Sequence, residues 1–207
     1  MISLVAMLSM FAFLGLLTIL GRLFGSPVRN LFDVIELARP TNDAEFEQLL
    51  DPEYEARLRS LMSQDEFREE QRIRIHKLFD CMRHRSFNAL LITQFAYLEW
   101  RRWAKETETE EDRARLFLLQ EVLRATAELR VYSLSVIPTL AIWILFRADR
   151  WPVLVPRLSE LREAGNKDGI HAYSRLTTAI GYLSLFYGER CYDALMVKLH
   201  GAIPKEF

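Results

Sequence analysis

The sequence predicts an all-α protein, with an N-terminal transmembrane helix followed by an antiparallel bundle of long helices. Met1 to Gly21 carries no charged side chain, and Arg22 is the first to appear. Helix-start signals recur through the rest of the chain, each followed by apolar residues at helical spacing. No segment sustains the period-two alternation between Gly or Asn-Gly turns that marks strands.

The uncharged run comes first. A helix rises about 1.5 Å per residue, so this stretch spans roughly 30 Å, the thickness of a bilayer hydrocarbon core. A secretory leader would open on basic residues and close on a small-x-small cleavage site. Here Ile2, Ser3 and Leu4 stand at the start, and no such site precedes Arg22. Ser3, Ser9 and Thr18 form no continuous polar face, as a buried core helix would show. Residues 1–25 therefore read as a retained anchor, with Leu4, Phe11, Leu14, Leu17 and Leu20 in the membrane. Arg22 and Arg29 follow closely, while nothing basic but the amino terminus precedes. The positive-inside rule then puts the N-terminus outside and the body in the cytoplasm, a single-pass arrangement. Gly21 and Gly25 form a G-x-x-x-G, but beside Arg22 it suits a loosened helix exit better than a dimer contact.

Residues 26–40 form an amphipathic juxtamembrane segment. Val28, Leu31, Phe32, Ile35 and Ala38 recur at helical spacing, with Arg29, Asp33, Glu36 and Arg39 between them. Two placements stay open, along the lipid headgroups or as a surface helix of the body.

Residues 41–207 make the bundle domain. Asn42 with Glu45 and Ser63 with Glu66 have capping-box spacing, in which each side chain satisfies an orphan N–H near the other. Thr109 with Asp112 is related. Asp51-Pro52 supplies a cap and then the residue that loses nothing by lacking an N–H at the first helical position. From about Asp65 to Lys105 no Gly or Pro interrupts a helix whose stripe is Ile75, Leu78, Phe79 and Met82, continued by Leu90, Leu91, Phe95 and Leu98. A second long helix is expected from about Glu110 to Phe146, with Ala114, Leu118, Val122, Ala125 and Leu129 at core spacing. A shorter one covers roughly 152–164. After the turn at 165–169, where Asp168 is placed to cap, a last helix runs from Ile170 towards Leu199. Long helices joined by short polar turns pack as an antiparallel bundle.

Val131–Phe146 stands apart, being uncharged on every face between Arg130 and Arg147. At about 1.5 Å per residue it is short for a span, and a span would strand a basic segment outside. A central bundle helix buried all round is the favoured reading. A second span or re-entrant hairpin is the alternative, since Pro138 and the flanking Tyr132, Trp143 and Trp151 suit an interface.

The formal net charge is −1, so nucleic acid is not an expected partner. Arginine outnumbers lysine, as a GC-rich, bacterial-like genome would dictate. Cys81 and Cys191 read as free thiols in a reducing compartment. The strongest local charge signal is Arg68, Arg72, Arg74, His76, Lys77, Arg83, His84 and Arg85. His76, Asp80, Arg83 and His84 point away from the apolar stripe, a solvated face or a docking surface. Trp100-Arg101-Arg102-Trp103 sets two indoles on one face beside guanidiniums, the residues that interfaces favour. The candidate interaction surface is therefore Arg68, Arg72, His76, Arg83, His84, Trp100, Arg101, Arg102 and Trp103. His76 and His84 stand about 12 Å apart along the axis and cannot share one metal ion. No G-x-S-x-G, P-loop, Rossmann glycine pattern, H-E-x-x-H or C-x-x-C occurs. No catalytic, cofactor or metal residue is assigned.

These observations point to a membrane-anchored, non-catalytic accessory subunit. Its expected partners are membrane lipid, through the N-terminal helix, and one or more proteins of a membrane complex. Two alternatives stay open. One is a small transporter or channel component with 131–146 inserted, and the other is an enzyme or ligand carrier with a pocket between helices.

Overall fold

The computed structural model describes residues 28–104, 109–145, 157, 158, 161, 167–187 and 189–200. The anchor expected over 1–25 and most of the helix expected over 152–164 lie outside them. The regular structure among the described residues is entirely helical. Its helices are α1 (Leu31–Leu37), α2 (Asp43–Leu49), α3 (Pro52–Leu61), α4 (Gln64–Trp103), α5 (Glu110–Leu145), α6 (Lys167–Tyr187) and α7 (Glu189–His200).

Most helices begin where a side chain satisfies an orphan N–H. Asn30 and Asp33 form a full capping box ahead of α1. Asn42 accepts from the Glu45 N–H at 3.2 Å, while the Glu45 carboxylate turns to Lys77 at 3.4 Å instead of closing a box. Asp51 accepts from the Glu53 N–H at 2.9 Å, with Pro52 opening α3. The Ser63–Glu66 box is complete, with the Ser63 N–H donating to Glu66 Oε2 at 2.9 Å. Thr109 and Asp112 exchange the same pair of bonds at the start of α5, each at 3.1 Å.

α4 has 40 residues and α5 has 36, and the two pack side by side as an antiparallel hairpin. Glu99 meets Arg115 near the connection at 3.5 Å. Further down, Arg83 and Phe87 share a groove with Arg130 and Ile137. α5 lies between α4 and α6. Arg175 of α6 pairs with Glu128 of α5. α7 folds back along α6, bringing the Tyr173 hydroxyl to donate to the Leu199 carbonyl. α1 lies across α4 and α7, while α2 and α3 cover the first half of α4.

One core runs through these layers. Leu78 and Met82 of α4, Leu119 and Leu140 of α5, Leu176 of α6 and Leu199 of α7 are fully buried. Each such side chain contributes about 1.5–3 kcal/mol relative to exposure. Val28, Val34 and Ala38 belong to the same core, so the segment around α1 is part of the body. Thr126 and Ser133 are buried in α5 and bond back to the carbonyls of Val122 and Leu129, at 2.9 and 2.8 Å.

Three sequence expectations need correction. The helix expected to run unbroken towards Leu199 is two helices, α6 and α7, with Gly188 between them. α6 starts at Lys167, which puts Asp168 inside its first turn rather than at the cap. Most consequential, 131–145 is not buried all round. Tyr132, Ser133, Val136 and Leu140 face the bundle, but Val131 is 68% exposed, Leu134 62%, Ile142 52% and Leu145 77%.

Candidate functional site

The nine residues singled out from the sequence fall into two groups. In the first, Arg68 pairs with Asp65 at 3.1 Å, Arg72 with Glu69, and Arg83 with Asp80 at 3.8 Å. His76 is exposed, while the Nδ1 of His84 sits 3.2 Å from the Pro40 carbonyl. Most of this face is thus a row of ion pairs one turn apart along α4, each worth little in water. Arg74 and Arg85, in the same stretch of sequence, turn inward and are 1% and 4% exposed. Arg74 donates to the Leu49 carbonyl that ends α2 and to Gln71, both at 2.8 Å. Arg85 pairs with Asp43 and lies against the rings of Phe46 and Tyr173, 3.6 and 4.4 Å from their centroids.

The second group surrounds Glu99, a buried carboxylate that the motif search passed over. Arg102 donates to Glu99 Oε1 at 2.6 Å. Its Oε2 receives the Trp103 indole N–H at 3.2 Å, Arg115 at 3.5 Å and the Tyr187 hydroxyl. The Arg115 guanidinium also lies 4.0 Å over the Trp103 ring and 4.8 Å over Tyr187. Burial, with the bond to Glu99 behind it, pushes the Tyr187 phenol well above its ordinary value. Trp103 is therefore occupied in clamping α4, α5 and α6 together. Trp100 packs on the core and stacks on Tyr97, whose ring is half exposed. Arg101 and Arg102 remain solvent-facing.

Among the described residues no three His, Cys, Asp or Glu side chains gather as a metal site. Burial raises the Cys81 thiol above its ordinary value, which keeps it in the weakly nucleophilic thiol form. The apolar cavity among Leu31, Val34, Phe95 and Val122 has a volume of about 20 Å³, room for a water molecule and no organic ligand.

The outer face of α5 offers more. Val131, Leu134, Pro138, Ile142 and Leu145 line one exposed side, and no charge interrupts them. Val131, Pro138 and Leu145 are seven residues apart, the spacing that keeps one seam turned towards a neighbouring helix. Pro138 leaves the Leu134 carbonyl without its N–H donor, and the bare side of the helix is where such a gap is tolerated. By length and composition α5 is apolar enough to cross a membrane, and 28% of its most apolar stretch is buried inside the bundle. Sequence reading found the stretch from its missing charges but not its one-sidedness, which depends on where α4 and α6 lie. No family model matches the chain, and neither does any curated protein or solved structure.

Proposed function

We propose that this protein is a membrane-anchored, non-catalytic accessory subunit whose bundle docks on an apolar helix of a membrane partner. The bare outer face of α5 carries the reading. Exposed apolar residues in contiguity mark interaction surfaces, and their heptad spacing suits a helix as the occupant. The uncharged Met1–Gly21 run is the anchor, with the body on the cytoplasmic side. Residues 131–145 serve better as a docking face than as a second span. α4 runs beside them, and inserting α5 would draw Arg74, His76, Asp80, Arg83 and Arg85 towards hydrocarbon.

Mild-detergent solubilisation of the tagged full-length chain, with mass spectrometry of what is retained, tests the proposal. A stoichiometric partner should be retained by the parent chain and lost from the Leu134→Arg/Ile142→Arg variant. A lone monodisperse monomer, or a partner that both forms retain equally, overturns it. Alkaline carbonate extraction checks the anchor, since the chain should stay with the membrane pellet.

A further inference from the structure

A groove of about 280 Å³ opens between the end of α1, the middle of α4 and the middle of α5. Three arginines line it, Arg39, Arg83 and Arg130, together with Ser86. Its floor is apolar, made by Phe87 and Ile137. Among the described residues that line it there is no Asp or Glu.

The three arginines are held differently. The Arg39 guanidinium lies 4.5 Å over the Phe87 ring, and its backbone is fastened by Asn88, which accepts from the Arg39 N–H and donates to its carbonyl, both at 2.8 Å. Arg83 reaches Asp80 only loosely, at 3.8 Å, with both side chains more than half exposed. Arg130 is half-buried, and no carboxylate among the described residues pairs with it. Burial holds its guanidinium below the ordinary arginine value. A partly desolvated guanidinium facing a cavity with two others is an arrangement that an anion relieves.

The groove also meets the bare face of α5. At about 100° per residue, Leu134 falls about 40° round the helix from Arg130, and Ile137 about 20° to the other side. Leu134 therefore stands on the rim, between the groove and the stripe formed by Pro138 and Leu145.

We infer that this groove binds an amphiphilic anion, its phosphate or carboxylate head held by Arg39, Arg83 and Arg130 and its apolar stem lying on Phe87, Ile137 and Leu134. Bidentate guanidinium bonds suit the planar carboxylate and the phosphate oxygens equally, so the head group does not separate a bilayer phospholipid from a free acyl anion. The inference stands apart from the protein partner proposed above, because it requires only groups of this chain.

Isothermal titration of the purified full-length chain tests it, with dioctanoyl phosphatidylglycerol below its micellar concentration, laurate and inorganic phosphate as probes. At least one amphiphile should bind saturably, about tenfold or more tighter than inorganic phosphate, and Arg130→Gln should weaken it by about tenfold, the equivalent of one charge-assisted bond. Arg130→Lys should restore part of the loss. The tighter of the two amphiphiles names the source, phospholipid or free acyl anion. Arg83→Gln, on an exposed residue, carries the same prediction at smaller size if Arg130→Gln fails to fold. Absence of saturable binding by either amphiphile overturns the site. So does inorganic phosphate binding as tightly, or affinity unchanged in Arg130→Gln and in the Arg39→Gln/Arg83→Gln double variant. The Arg130→Gln and double-variant comparisons are made in the same medium as the parent chain, so either result holds whether or not a protein partner is found.

Discussion

At the closed end of the long hairpin the Glu99 carboxylate is buried, while towards the far end of its outer side Leu134 and Leu145 lie bare. The two regions depart in opposite directions from the rule that charge faces water and apolar side chains face inward. The buried charge has its partners within the chain, in Arg102, Arg115, Trp103 and Tyr187. The exposed apolar face carries no charge, and the Ser135 and Thr139 hydroxyls beside it donate to carbonyls of α5 itself. A buried ion with a full set of bonds is a structural device, and its arginines and tryptophan are committed to it. An uncovered apolar stripe is where a second molecule has something to gain. Several of the Arg and Trp residues conspicuous in the sequence are thus paired within the chain, while the outer face of α5 is left bare.

The comparison is broken most severely at its buried end. Glu99→Ala should cost about 3–5 kcal/mol, because it strands Arg115 and the Tyr187 hydroxyl without their shared acceptor. Glu99→Gln, which keeps an acceptor, should lose about 1–3 kcal/mol. Urea unfolding of both variants checks the pair; equal losses would mean that a neutral acceptor restores nothing, and no loss in Glu99→Gln would mean that the charge contributes nothing. Arg85→Ala should cost about 2–3 kcal/mol by the same measurement, a smaller loss because Asp43 keeps part of its access to water.

Alkali tests buried polar groups at both ends of α6 without mutation. The phenols of Tyr187 and Tyr173 are held above their ordinary value, in each case chiefly by burial. The unfolded chain therefore releases those protons first, so their stabilisation is complete below about pH 10 and is lost as pH rises beyond it. The urea midpoint should fall steeply above about pH 10. Tyr187→Phe should flatten that fall. An unchanged slope in the variant would show that Tyr187 ionises normally in the folded chain.

The bare face should respond in the opposite sense. Leu134→Arg with Ile142→Arg should leave stability within about 0.5 kcal/mol at each site, since neither side chain is in the core, while removing whatever docks there. The smallest effect belongs to the α4 ion pairs. Arg72→Ala should cost less than about 0.5 kcal/mol, and added salt should erase the difference. A thermal-melt series in low and high salt reads it.

Particular residues show how far the sequence could be read. Ser63, Asp51, Asn42 and Thr109 announced helix starts correctly because a cap acts on N–H groups only two or three residues away. The long helices were legible in the same way, from unbroken periodicity. Arg74 and Arg85 belong to the basic stretch of the sequence without being assigned to its exposed face; Arg85 sits three residues beyond Met82 and Arg74 directly before Ile75, on the margin of the buried stripe. A guanidinium at such a position goes inward only if a carbonyl such as that of Leu49, or a carboxylate such as Asp43, is waiting there. Both arrive from α2, more than twenty residues earlier. Arg130 is a similar case, since nothing local announces that Arg39 and Arg83 share its groove.

The chain alone determined the helical class, the positions of the helix starts in the body and the two uncharged stretches, because these follow from bonds and periodicities within a few turns of helix. Tertiary structure decided which arginines are buried, that Glu99 joins three helices, that α7 folds back along α6, and which side of α5 is left uncovered. Each of those depends on which neighbour reaches a given face, and side chains brought together from distant parts of the chain leave no local pattern by which to recognise them.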